Sequence, residues 1–97
     1  MTEAELQAAI VDVAELAGWL VFHDHDSRRN PAGLPDLICV KPPRVVFIEL
    51  KSDTGRVRPE QRTWLDALAE CDTLASALVR PDDLPTVIEY LTRKTEQ

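Results

Sequence analysis

Gly33-Leu34-Pro35-Asp36-Leu37-Ile38-Cys39-Val40, then Lys41-Pro42-Pro43-Arg44, then Val45-Val46-Phe47-Ile48-Glu49-Leu50-Lys51, is the stretch around which the rest of the chain arranges itself. Two apolar, β-branched runs flank a segment whose prolines cannot donate to a ladder, so the pattern predicts a hairpin with its turn at 41–44. Antiparallel pairing about that turn returns the end of the second run to the start of the first. Asp36 and Glu49 therefore meet at one edge. The two-residue period of a strand puts Glu49 and Lys51 on one face and Leu50 on the other.

Two carboxylates held together repel unless a cation lies between them, and hard cations such as Mg²⁺ prefer oxygen ligands. A metal site with an ammonium beside it suits phosphodiester hydrolysis. The metal neutralises phosphate charge and activates water, while Lys51 orients that nucleophile or stabilises the added negative charge. A plain salt bridge among Asp36, Glu49 and Lys51 is the alternative that this spacing leaves open.

Upstream, residues 3–17 read as a helix. Thr2 and Glu5 form a capping box, and Leu6, Ile10, Val13, Ala14 and Ala17 form an apolar stripe with Glu3 in register at its first turn. Glu3 serves either the site or simply the helix dipole. Gly18 ends the helix and Trp19-Leu20-Val21-Phe22 reads as a short strand. The polar run from His23 to Gly33 is a functional loop whose Ser27, Arg28 and Arg29 are candidates for phosphate contact. A zinc pair of His23 and His25 lacks further ligands at a supporting spacing.

Downstream, residues 52–58 read as a loop carrying Arg56 and Arg58, and Pro59 is suited to the first position of a helix reaching about residue 70. Trp64, Leu65 and Leu68 form its inner stripe, and Gln61 falls on that stripe. An inward amide needs partners, which a metal-bound water, Lys51 or a phosphate would supply. A strand over 74–79 and a helix capped by Arg80-Pro81-Asp82-Asp83, with Leu84, Val87, Ile88 and Leu91 facing inward, complete the chain. The order α-β-β-β-α-β-α predicts an α/β domain, a central mixed sheet flanked by helices.

The 97 residues are expected to form one domain, with no signal-peptide pattern and no apolar run of membrane-spanning length, so a soluble, cytoplasmic protein is expected. Cys39 and Cys71 read as reduced, structural thiols. The net charge of −6 is segregated. Residues 28–62 hold eight basic and four acidic side chains, a local +4, leaving −10 elsewhere. Local phosphate contacts are compatible with this pattern, and so is an ordinary mixed surface.

Pro35-Asp36, twelve residues, then Glu49-Leu50-Lys51 resembles the PD-(D/E)xK nuclease signature. Thr2-Glu3-Ala4-Glu5-Leu6-Gln7, Gly33-Leu34-Pro35-Asp36-Leu37, Phe47-Ile48-Glu49-Leu50-Lys51 and Pro59-Glu60-Gln61 resemble the small VRR-NUC branch, known from phage proteins and repair nucleases. The resemblance implies a restriction-endonuclease-like core and a metal-dependent DNA endonuclease. It implies Mg²⁺ or Mn²⁺ held by Glu3, Asp36, Glu49 and the Leu50 carbonyl, Lys51 as catalytic ammonium and Gln61 in support. In that family an N-terminal helix carries an acid into the site, and Glu3 matches the motif better than Glu5. Stand-alone members imply homodimers acting on branched or flapped DNA. Cys71-Asp72-Thr73 departs from the family's glycine turn. The alternative of a different class is a binding module that keeps the fold without turnover.

Overall fold

A computed structural model describes residues 1–23 and 30–94. The predicted hairpin is present: β2 (Leu37–Lys41) and β3 (Arg44–Leu50) pair antiparallel about Pro42-Pro43, with Leu37 opposite Ile48 and Lys41 opposite Arg44. β1 (Leu20–His23) adds antiparallel to β2, and β4 (Ala75–Val79) adds parallel to β3, giving a four-stranded mixed sheet in the order β1-β2-β3-β4. Helices α1 (Glu3–Leu16), α2 (Pro59–Ala69) and α3 (Leu84–Thr92) flank it, with a 3₁₀ turn over Pro81–Asp83 leading into α3. This is the α-β-β-β-α-β-α order expected of a restriction-endonuclease-like core.

The period of two sorts the sheet into unlike faces. Leu37, Cys39, Val46, Ile48, Leu50 and Val79 point to one side, where Leu6, Ile10 and Ala14 of α1, Trp19 and Leu91 of α3 close the core over them. α2 packs across β3 and β4 from the other side, burying Leu65 and Leu68. Glu49, one residue from Leu50, therefore faces α2. α1 begins with the predicted capping box, Thr2 N–H donating to Glu5 Oε1 at 2.8 Å and Glu5 N–H to Thr2 Oγ1 at 3.1 Å. Gly18 follows α1 at φ +93°, the left-handed conformation that a side chain would strain.

The turn after α2 closes without a glycine. Glu70 N–H donates to Ala67 O and Cys71 N–H to Leu68 O, so the helix closes with tight i→i−3 bonds. No described residue other than Gly18 and Gly33 has positive φ, so Cys71-Asp72-Thr73 needs no left-handed residue.

Candidate metal and nucleic-acid site

Continuing the β2–β3 register one step beyond Leu37 and Ile48 brings Asp36 opposite Glu49, as the hairpin reading requires. Asp36 Oδ2 accepts the Leu50 N–H at 2.8 Å, which fixes the carboxyl to the end of β3 by the backbone itself. Glu49 is only 1 % exposed. Its Oε1 accepts from Gln61 Nε2 at 3.3 Å, while its Oε2 is buried with no hydrogen-bond partner. Burial, then the neighbouring Asp36 carboxyl, push the Glu49 pKa up to about 9; Lys51 opposes this and Glu3 adds to it.

Gln61, 5 % exposed, points inward as expected, but its partners differ from those anticipated. Its Nε2 reaches Glu49, and its Oε1 accepts the Arg58 N–H at 2.9 Å, capping α2. One side chain thus ties the start of α2 to the buried acid. Lys51, 9 % exposed, continues β3 by donating its N–H to Val79 O at 3.0 Å. Among the described residues, the ion pair present is Arg62–Asp66 at 3.3 Å, and none joins Lys51 to Asp36 or Glu49. The simple salt bridge is therefore not what the fold builds.

Glu5 is engaged in the capping box, whose hydrogen bonds hold its pKa below the usual carboxylate range. Glu3 is exposed at the start of α1 rather than turned inward, and its charge still reaches Glu49. Among the described residues no three of His, Cys, Asp and Glu are gathered as a ready-made metal cage. The donor set is instead a pair, Asp36 and Glu49, with an orphaned buried oxygen. That fits Mg²⁺, which keeps several waters and is commonly held by one or two carboxylates together with substrate phosphates.

The approach to the pair is a polar cavity of about 210 Å³ lined by residues that include Gly33, Asp36, Arg58 and Gln61. Sequence reasoning missed what shapes it. Gly33 lies at φ +85°, and a Cβ there would stand 2.4 Å from the Glu60 carbonyl carbon and oxygen. Trp64 Nε1 also donates to Ala32 O at 3.1 Å, so the segment before Asp36 is seated directly on the start of α2. The glycine before Leu-Pro-Asp was the available signal.

The basic segment shrinks in three dimensions. Arg44 is spent within the fold: its guanidinium lies 4.7 Å from the Trp19 ring and 5.3 Å from the Tyr90 ring, and it donates to Tyr90 O and Arg93 O at the end of α3. Lys41 donates to Ala17 O, and Arg62 pairs with Asp66. Arg58 is exposed and lines the cavity, and Arg56 is exposed in the loop after Lys51. Ser27, Arg28, Arg29 and His25 lie outside the described residues.

The family model described as "VRR-NUC domain" matches residues 2–79. No curated protein and no solved structure matches the chain.

Proposed function

Since the chain belongs to the VRR-NUC family and is a nuclease domain, we propose that it is a Mg²⁺- or Mn²⁺-dependent, structure-specific endonuclease that hydrolyses phosphodiester bonds in branched DNA of the junction or flap type. The observation carrying this reading is the Asp36–Glu49 pair where the two inner strands meet at one end of the sheet, with the Glu49 Oε2 orphaned and the Lys51 ammonium alongside. Asp36, Glu49 and the Leu50 carbonyl are the proposed ligands, and Glu3, exposed at the start of α1, adds its negative charge from outside that pair. Bound there, the cation supplies charge neutralisation at the scissile phosphate and a more acidic water. Lys51 contributes positive charge where the phosphate gains negative charge and orients the attacking water. Gln61 holds Glu49 in place, and Arg56 and Arg58 bind backbone phosphates without reading bases.

A homodimer would present two such sites to the two strands of a branch. The open face of β1 supports this: Leu20 is 73 % and Phe22 48 % exposed, opposite Val40 and Ile38 in the ladder, an apolar area that a second copy would cover. The decisive experiment incubates labelled junction, flap and linear duplex with wild type and Lys51→Ala in Mg²⁺ or Mn²⁺. Wild type should cut the branched substrates, a chelator should stop it, and Lys51→Ala should lose roughly 10²–10³ in rate. No cleavage of any substrate, with equal DNA binding by both proteins, would instead identify a non-catalytic binding module.

A further inference from the structure

Arg80 lies outside both the hairpin and the basic segment. It follows Val79, the last residue of β4, and its backbone is pinned at the entrance to α3: its N–H donates to Asp83 Oδ2 and its carbonyl accepts from Asp83 N–H, both at 2.9 Å. The side chain turns back to the loop after Lys51. Nη1 stands 2.7 Å from Ser52 O, 2.9 Å from Gly55 O and 3.5 Å from Asp53 O. A guanidinium nitrogen of this kind has two hydrogens, so the two short contacts account for both and Asp53 is at the margin.

The clasped loop is a wall for Lys51. Gly55 N–H closes the loop onto Ser52 O at 3.3 Å. A Cβ on Gly55 would stand 3.3 Å from Lys51 Cδ and 3.1 Å from Ser52 Oγ, so the Gly55 backbone rests against the lysine stem. Lys51 has a flexible four-carbon stem, and no ion pair among the described residues directs its ammonium. What directs it is packing: strand pairing to Val79 fixes its backbone, and the loop bounds its side chain.

We propose that Arg80 is a positioning residue for the Lys51 ammonium, its clasp on the Ser52 and Gly55 carbonyls holding the loop against the lysine stem beside Glu49. The proposal rests on reading Lys51 as the catalytic ammonium. It differs from two simpler roles, a phosphate contact and a general support of the fold.

The test compares Arg80→Met, which keeps the apolar stem, Arg80→Lys, which keeps the charge without the forked geometry, and Gly55→Ala, which displaces the wall with Arg80 intact. Single-turnover cleavage of junction DNA at saturation should fall by roughly 10² in Arg80→Met and Gly55→Ala, as expected for a displaced catalytic group. DNA binding in chelator should hold within about twofold, and neither substitution should cost anything further in a Lys51→Ala background. Amide exchange at residues 52–55 should accelerate in Arg80→Met, and the Lys51 side-chain nitrogen resonance should shift in both variants. Arg80→Lys should behave like Arg80→Met. Losses that add to Lys51→Ala, a loss confined to binding with a flatter salt dependence, or an unmoved Lys51 resonance would each overturn the proposal. Should Arg80→Met fail to fold, Arg80→Lys and Gly55→Ala carry the same readouts. If wild type cuts no DNA, the nuclease reading fails, while the Lys51 resonance still decides whether Arg80 positions that side chain.

Discussion

At the scale of single residues, Glu49 is the informative group. Its ordinary pKa of 4.5 is raised to about 9 in the fold, so between these values the metal-free native state holds a proton that the unfolded chain has released. That contribution to stability is complete below about pH 4.5 and is lost as pH rises toward about 9. The chelator-treated protein should therefore melt at a lower temperature at about pH 8.5 than at about pH 5.5, with at most about 1.4 kcal/mol lost per pH unit for one linked proton. Glu49→Gln should flatten the profile. Asp36→Asn should leave the metal-free protein about as stable as wild type near neutral pH, where Glu49 holds its proton, and more stable as pH rises toward about 9, because it removes the carboxyl that opposes Glu49 ionisation. Added Mg²⁺ or Mn²⁺ should stabilise wild type alone, by about 2.7 kcal/mol at a hundred times the dissociation constant. It should do so more strongly at higher pH, where the cation no longer competes with the Glu49 proton. If Asp36→Asn destabilised the fold and divalent cations left all three proteins unmoved, the metal assignment would be wrong.

At the scale of elements, Gly33 couples the segment before β2 to the start of α2. Gly33→Ala adds strain at φ +85° and a collision with the Glu60 carbonyl, neither of which a side-chain rotation relieves. It should cost at least about 1–3 kcal/mol. Even in folded protein it should lower activity by separating Asp36 from Gln61; a denaturant melt and a cleavage assay on the same sample check both. Elements of this kind show where legibility in the sequence stops. The hairpin, the capping box of α1, Pro59 at the start of α2 and the inward stripe carrying Gln61 were all readable, because each is written in neighbours a few residues apart. So was the meeting of Asp36 and Glu49, since a short turn fixes register. Gln61's bond to Glu49, the seat of Gly33 on Glu60, the clasp of Arg80 and the withdrawal of Arg44 onto Trp19 and Tyr90 were not. They join residues far apart in sequence, and no local period encodes which distant partner a polar side chain will meet.

At the scale of the whole molecule, the acidic chain meets DNA with few cations. With Lys41 and Arg44 bonded within the fold and Arg62 in an exposed pair with Asp66, the described basic groups of the segment that have no acidic partner are Lys51, Arg56 and Arg58. Replacing Arg56 and Arg58 should reduce the slope of log affinity against log salt by about 0.9 for each lost duplex phosphate contact, without changing sequence preference. Replacing Arg62 should leave it unchanged; a salt titration of binding distinguishes them. Phe22→Glu should turn a dimer into a monomer by sedimentation, and a wild type already monomeric would remove the two-site reading. The docking of α3 reaches further still. The family match ends at residue 79, yet Leu91 is fully buried against α1 and the sheet, Trp19 Nε1 donates to its carbonyl at 2.8 Å, and Arg44 closes over the helix end. The stretch that the family model matches and the stretch that packs into one core therefore end at different places in this polypeptide. Cutting the chain where that match ends would uncover the core, because the hairpin that bears the acids closes its hydrophobic side with the last helix.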